Sequence, residues 1–416
     1  MFQLILKQLA MNTATMTQAK IHPPYSMERM LDPISPEEFF SEYYEKKPCR
    51  IHRKDASFYH HLLTLKTIDE LLSSQTLRFP KVKLVNSALA EQPKADSFTI
   101  NGTDIHPSRF LKHYSEGCTI VFSSLHERIG NLGLFIDHMN QYFNHGFQTN
   151  IYLTPPNAQG FNPHYDTHDV FILQVAGSKR WRLFDTPINL PQKSQPFELN
   201  KVSAGPISDE FILHAGDMLY IPRGLMHDAE TTGELSMHIT AGLLGFTWTD
   251  LMVEAILNMS ATDMELRKNM PIGYGRTDPT GRLEMKQKFD EILSRLSKTH
   301  HMDESLNRFS EKLQSELQPN LPGQFHQISQ LDSLTAQCMV RKRPEAWFRR
   351  SDSAGKCHIH HFGQNIEFPD FTRPAIDHIE KNAVFRVNEL PDCMDENGKV
   401  VFVKRLIKEG LLIRVP

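Results

Sequence analysis

The sequence predicts an α+β protein: a β-sandwich or barrel at the centre, a helical region after it, and a small winged-helix-like module at the end. Three observations predict this. From Gln148 to Leu244, short β-like runs follow one another, separated by Pro, Gly, Asn and Asp, with no βαβ alternation. At Thr247 the apolar period turns helical, over Thr249–Met259, Met264–Met270, Arg282–Ser297 and Glu304–Leu317. After Thr372, helices alternate with short strands, the last of them terminal. A chain of 416 residues is long enough for two or three such domains.

Composition narrows the function classes. Hydrophobic residues make up 40% and charged residues 23%, as in ordinary globular chains. A formal net charge of −3 gives no global case for nucleic-acid binding, and the basic runs Arg341-Lys342-Arg343 and Arg349-Arg350 read as solvated surface. The five cysteines (Cys49, Cys118, Cys338, Cys357 and Cys393) are scattered without a CxxC pair, which points to a reducing, cytoplasmic compartment. Cys357-His358-Ile359-His360-His361 is rich in metal-ligand types but lacks a second cluster to complete four ligands. No apolar run approaches the roughly 20 residues of a membrane span. The mildly apolar start is broken by Lys7 and Gln8 and has no preceding basic segment, which argues against a secretory signal. Residues 1–30 are expected to be flexible, and Met11 offers a second possible start.

In order, Ser35-Pro36-Glu37-Glu38 supplies a cap, a proline at N1 and first-turn acids for a helix. Phe39, Phe40, Tyr43 and Tyr44 form its core stripe. Cys49–His52 is a strand, and Thr67–Ser73 a helix capped by Thr67. Leu77–Val85 and Ser97–Ile100 alternate like strands, and Asn101-Gly102 marks a turn. His106-Pro107 opens a helix through His113. Cys118–Phe122 is a β-branched strand and Glu127–Phe143 an amphipathic helix. In the last module, Thr372–Glu380 and Val400–Lys408 are helices, Ala383–Val387 and Leu411–Val415 strands, and Glu409-Gly410 a C-cap. Its acids offset its bases, so direct DNA binding is not expected.

The chemistry concentrates in Asn150–Phe184 and in Gly216–His227, GDMLYIPRGLMH. His164 and Asp166, two apart, would share a face on a strand and reach one metal together. His227, 63 residues after His164, follows a tight Pro-Arg-Gly turn and closes the set. Two histidines and a carboxylate form the facial triad of non-haem Fe(II), leaving positions for an oxo-acid and O₂. A lone His-x-Asp carries little weight among 21 histidines; its place between β runs, with His227 at a suitable distance, carries the reading. His168 reads as a residue that supports the ligands from behind or forms a pocket wall, His214 likewise, and His238 also as barrel-lining. Lys179 is the cation placed to pair with the far carboxylate of a dicarboxylic co-substrate. By alternation, Trp181 shares its face and Arg180 points away.

These residues resemble the Jumonji-C (JmjC) oxygenases of the cupin superfamily, and most closely the ribosomal oxygenase branch. NPHYDTHDVFILQVAGSKRWRLF and GDMLYIPRGLMHDAETTGELSMHITAG carry the resemblance. SPEEFFSEYYEKKPCRIHR and FTRPAIDHIEKNAVFRVNELPDC extend it over nearly the whole chain from about Pro33. The resemblance implies a double-stranded β-helix (jelly-roll) core over residues 31–246, a helical dimerisation region over 247–335 and a winged-helix-like domain over 336–416. It implies Fe(II) on His164, Asp166 and His227, 2-oxoglutarate held through its C5 carboxylate by Lys179, and Asn150 and Tyr152 lining the co-substrate pocket. The function it implies is hydroxylation of an arginyl or histidyl side chain of a protein, most simply a ribosomal protein, by a homodimeric dioxygenase. Bacterial enzymes acting on arginine typically carry Arg where Lys179 stands; lysine there looks more like the histidyl hydroxylases. The alternatives are the same chemistry on a peptide natural product or modified RNA base, or a non-enzymatic scaffold.

Overall fold

The computed structural model describes residues 24–415 except 187, 199, 200, 277, 298, 318, 319, 345, 347 and 354. Most of the expected flexible segment lies outside these, but its end is ordered. Ser26 caps α1 (Met27–Leu31), and Met27, Met30 and Leu31 are buried. The chain forms two compact units, divided between Leu244 and Gly245.

The first unit contains α1, α2 (Pro36–Glu42), β1 (Cys49–Ile51), α3 (Leu65–Ser74), β2 (Val82–Val85), β3 (Thr99–Ile100), β4 (Asp104–Ile105), α4 (Pro107–Ser115), β5 (Thr119–Ser123) and α5 (Gly130–Phe143). It continues with β6 (Gly146–Thr154), β7 (Asp169–Phe184), β8 (Ile207–His214), β9 (Met218–Ile221) and β10 (His227–Leu244). The cap of α3 is Thr64, three residues before the expected Thr67, and its hydroxyl accepts from the Thr67 N–H. Asn101 and Gly102 both adopt positive φ in the two-stranded turn β3–β4, as the Asn-Gly pair requires.

The main sheet runs β1-β9-β7-β10-β6-β5-β2, with β8 on the remaining half of β7, and every pairing in it is antiparallel. The expected short runs prove to be long strands: β7 has 16 residues and β10 has 18. Gly177 is no strand break. It has φ +62, and a Cβ there would lie 1.7 Å from the Leu235 carbonyl oxygen, so glycine lets β7 bend and continue. The first half of β7 pairs with β9 and the second half with β8, while β10 accompanies both. This is how one sheet rolls up around an interior.

Both faces of β7 are covered, which explains its unbroken apolar run. Phe171, Leu173 and Val175 pack outward into the core under the helices, with Phe39, Phe135 and Tyr220. Val170, Ile172, Trp181 and Leu183 pack inward with Leu213, Leu219 and Ile221. The inward set floors the site described below.

The second unit holds α6 (Trp248–Thr262), α7 (Pro279–Leu296), α8 (Thr299–Glu316) and α9 (Gln324–Ser329). Its strands are β11 (Met339–Lys342), β12 (Phe348–Ser353), β13 (Lys356–His361), β14 (Gln364–Pro369), β15 (Val384–Arg386) and β16 (Leu412–Arg414), with helices α10 (Arg373–Lys381) and α11 (Glu396–Lys408). The sheet β15-β11-β16 backs α10 and α11 around a core of Ile376, Val403 and Leu406. The meander β12-β13-β14 had no counterpart in the sequence reading. It absorbs the Cys357–His361 cluster: Cys357, Ile359 and His361 are buried, while His360 meets Ser351 and His358 meets Asn365. The basic runs are only partly solvated: Arg341 is exposed, but the other arginines have partners. Arg343 is buried against the carbonyls of Gly410 and Pro322, Arg349 pairs with Glu311, and Arg350 with Asp377.

Candidate metal and co-substrate site

The site lies at the mouth of the roll, where the β6–β7 loop meets the turn before β10. His164 and Asp166 are not on a regular strand, contrary to the expectation. His164 instead forms a single bridge to His227: the His164 N–H donates to the His227 carbonyl at 3.0 Å and the His227 N–H to the His164 carbonyl at 2.8 Å. The Gly224 N–H donates to the Asp166 carbonyl at 2.9 Å. Cross-loop backbone pairing thus does the work that strand alternation was expected to do.

One potential ligand atom from each of His164, Asp166 and His227 falls within 4.8 Å of the others, the one such group of three among the described residues. His227 Nε2 and Asp166 Oδ2 are 4.0 Å apart. The Nδ1 atoms of His164 and His227 lie 2.9 Å from the carbonyls of Asn162 and Leu225. A carbonyl only accepts, so each Nδ1 carries the proton and each Nε2 keeps its lone pair. Burial, then the adjacent His164, holds His227 well below the ordinary imidazole range. It is therefore neutral at physiological pH, the form that ligates a metal.

Behind the triad is a cavity open on one side to solvent. Val170, Ile172, Trp181 and Ala229 make its apolar walls; Thr119, Tyr152, Lys179, His238 and Thr240 supply its polar groups. Lys179 is 4% exposed and donates to Thr154 Oγ1 at 3.1 Å, and Thr154 Oγ1 in turn accepts from Thr119 Oγ1 at 3.1 Å. Among the described residues no carboxylate reaches Lys179, and burial pushes its ammonium down to about 7. Trp181 Nε1 and His238 Nδ1 are buried without a hydrogen-bond partner. The Tyr152 ring stacks on His238 at 4.8 Å. Burial, then Lys179, keeps His238 neutral.

A buried lysine with no carboxylate partner and two buried ring nitrogens without hydrogen-bond partners call for acceptor groups in the cavity. A small dianion with acceptor oxygens satisfies them, one end on Lys179 and the other toward the triad. The residues present therefore fit both a metal and a dicarboxylic oxo-acid.

Of the expected residues, Tyr152 and Lys179 line the cavity, and Trp181 stands beside Lys179 as alternation predicts. Arg180 points outward, toward Glu210 and Glu230. Asn150 does not line the cavity; it sits one step along β6, paired with Thr240 and Ser123. His168 is not a wall of the cavity either. Its ring lies on Gly242, where a Cβ would approach its Cδ2 to 2.6 Å. His214 is exposed on β8. His238 lines the cavity as expected. Thr119, Thr154 and Thr240 went unrecognised, since a lone threonine in a strand carries no signal until its register is known. Asp228 was also missed: it is 3% exposed and accepts from Arg182 Nε at 2.7 Å and Nη2 at 2.9 Å.

Comparison with known proteins agrees with this geometry. Residues 125–251 match the JmjC domain. The chain is 31% identical over 316 residues to a bifunctional lysine-specific demethylase and histidyl-hydroxylase NO66 of Drosophila erecta, covering 70% of this chain and 47% of that protein. It is 26% identical over 450 residues to the NO66 of Dictyostelium discoideum, covering 98% of this chain and 86% of that one. It thus spans about half the length of the first relative and most of the second. The X-ray structure of E. coli ycfD matches with a TM-score of 0.56 at 15% identity, over 92% of this chain and 98% of that one. The structure of that ribosomal oxygenase with cobalt and 2-oxoglutarate matches with a TM-score of 0.54 at 16% identity, over 92% and 99%. These structural likenesses establish the shared α+β jelly-roll fold. The domain match spans the loop and turn that carry the triad, so residues 125–251 are a JmjC domain.

Proposed function

We propose that this chain is an Fe(II)- and 2-oxoglutarate-dependent dioxygenase that hydroxylates a side chain of a protein, most simply a histidyl residue of a ribosomal protein. One observation carries the reading: the triad His164, Asp166 and His227 opens onto a cavity whose far end holds the uncompensated Lys179. The names of the relatives support it, since NO66 is a histidyl-hydroxylase and the E. coli protein a ribosomal oxygenase. Lysine rather than arginine at position 179 favours the histidyl over the arginyl target.

When bound, iron(II) with 2-oxoglutarate supplies the oxidising chemistry: O₂ places one oxygen on the substrate C–H and one on the succinate left by decarboxylation. The chain's own residues position and shield. His164, Asp166 and His227 would hold the metal from one side. Lys179 would hold the C5 carboxylate, with Thr154 keeping its Nζ in place. Trp181 Nε1 and His238 would offer the polar contacts they now lack. Val170, Ile172 and Ala229 exclude water from the co-substrate. The test compares ribosomal proteins from a deletion strain and its parent by intact mass. We expect one protein to lack a single oxygen in the deletion strain. Identical ribosomal proteins, with the oxygen missing instead from a peptide or tRNA, would move the substrate to the alternative class.

We also propose that the chain works as a homodimer through its helical region. On α6, Trp248, Met252 and Ile256 recur every four residues and Leu257 flanks them; all are exposed, Trp248 at 73%. An apolar stripe of this kind on a soluble helix is covered in use. Met252→Glu with Ile256→Glu is expected to convert a dimer to a monomer in light scattering at micromolar concentration, with helix content retained. No helix among the described residues is long and apolar enough to cross a membrane. All five cysteines are free, which supports a reducing cytoplasmic setting.

A further inference from the structure

We infer that Asp169 and Arg223, closed off by Glu45 and Tyr220, form a positioning clamp that sets the spacing of the metal-binding residues. The inference rests on the metal-centre reading above and adds to it residues that touch neither metal nor co-substrate.

The two segments that bear the triad are far apart in sequence and meet only at the mouth of the roll. Two of their links are backbone hydrogen bonds: the His164–His227 bridge and the Gly224 N–H to the Asp166 carbonyl. The third is made of side chains. Asp169 starts β7, three residues after Asp166, and is 2% exposed. Its Oδ1 accepts from Tyr220 Oη at 2.9 Å and from the Arg223 backbone N–H at 3.2 Å. Its Oδ2 accepts from Arg223 Nη1 at 2.8 Å. Arg223 lies in the Pro-Arg-Gly turn, four residues before His227. The carboxylate therefore holds that turn by both its backbone and its side chain, and a charge-assisted pair in a buried setting resists sliding.

The ring closes through the amino-terminal part of the domain. Glu45 Oε1 lies 2.5 Å from Arg223 Nη1, and the Glu45 N–H donates to Tyr220 Oη at 2.9 Å. To deliver both groups Glu45 adopts φ +56, a left-handed conformation that a residue with a side chain adopts at a cost. Tyr220 belongs to β9, which pairs with both β1 and β7. Asp169 and Arg223 thus tie the Asp166 loop and the His227 turn to one rigid frame. That frame keeps Asp166 Oδ2 4.0 Å from His227 Nε2, close enough to share an ion.

A purely structural salt bridge would affect melting temperature alone. A positioning clamp must also alter metal affinity in protein that is still folded, because groups that orient metal ligands typically tune affinity about 10–100-fold. The experiment titrates the full chain with Co(II), following its visible absorption and competition with a chromogenic chelator, alongside melting curves. Arg223→Met is expected to weaken Co(II) binding about 10–100-fold. Arg223→Lys, which keeps a cation for Asp169 and Glu45, is expected to recover most of that loss. Glu45→Gln acts from the solvent side and leaves the buried pair intact; it is expected to weaken binding about 2–5-fold, less than a conventional outer-shell loss. Should Arg223→Met fail to fold, Glu45→Gln carries the comparison. Unchanged Co(II) affinity in folded Arg223→Met or in Glu45→Gln overturns the clamp. Failure of the unsubstituted protein to bind Co(II) overturns the metal-centre reading itself.

Discussion

Replacing Asp166 by alanine is expected to abolish turnover, lowering substrate-dependent succinate formation by about 1000-fold or more, while the melting temperature stays within a few degrees. The two effects separate because the side chain and backbone of Asp166 have different partners. Its carbonyl accepts from the Gly224 N–H, and that link survives the substitution. Its carboxylate is half-buried, lies 4.0 Å from His227 Nε2 and has the His164 ring as its other near neighbour in the triad. Removing it leaves two imidazoles and no carboxylate ligand, and a hard divalent ion bound by two nitrogens is held weakly. His164→Ala would be a less clean test, since that ring also packs near Phe161, Phe197 and His227. Succinate formation with Asp166→Ala at the unsubstituted rate would remove Asp166 from the metal site.

What the sequence made legible was mostly the identity of charged and coordinating groups. His164, Asp166, His227 and Lys179 stand out because ligand and cation types in a β-rich setting have few bland explanations. How they come together was not legible. The spacing of the pair predicts one strand face, yet His164 is placed by an isolated bridge and Asp166 by the Gly224 N–H. Neither contact leaves a periodic trace. Gly177 shows the same limit. A glycine between two apolar runs reads as a break, and only the close approach of the Leu235 carbonyl reveals it as a bend within one strand.

Polar residues of ordinary type were the other blind spot. Thr119, Thr154 and Asp169 matter through cross-strand register, which a single strand's sequence does not encode. Asn150 alternates in phase with Tyr152 on β6 and is not among the residues lining the cavity, although its cross-strand partner Thr240 is. In the second unit the 3.6-residue period marks α6, α7 and α8, whereas the helix expected over Met264–Met270 is only a single 3₁₀ turn, Met264–Arg267. The meander β12–β14 does alternate into the core, through Cys357 and Ile359 on β13 and Ile366 and Phe368 on β14, but the histidines between them read as metal-ligand types and mask so short a pattern.

Lys179→Met is expected to raise the stability of the ligand-free protein and, in the same molecule, to weaken 2-oxoglutarate binding by at least about 100-fold, roughly the 3 kcal/mol of a lost buried charge-assisted contact. Methionine has nearly the length of the lysine stem and suits the apolar wall of Val170, Ile172 and Trp181. Burial lowers the folded-state ammonium from its ordinary 10.5 to about 7, whereas the unfolded chain keeps the ordinary value. Below pH 7 lysine is charged in both states, and the cost of burying the charge is fully present. Between 7 and 10.5 the folded form has shed its proton and the unfolded form has not, so stability rises with pH by up to about 1.4 kcal/mol per unit. Above that window both states are neutral and the dependence ends. The unsubstituted protein should therefore gain melting temperature from pH 7 toward 10 relative to Lys179→Met, which lacks this term. Binding runs the opposite way. A dicarboxylate needs the charged ammonium, so at pH 8 each 2-oxoglutarate should bring with it most of one proton. Calorimetry of the metal-loaded protein in two buffers of different ionisation enthalpy measures that uptake. Equal heats in both buffers, or undiminished affinity in Lys179→Met, would mean that the far carboxylate is held elsewhere and that Lys179 is buried for another reason.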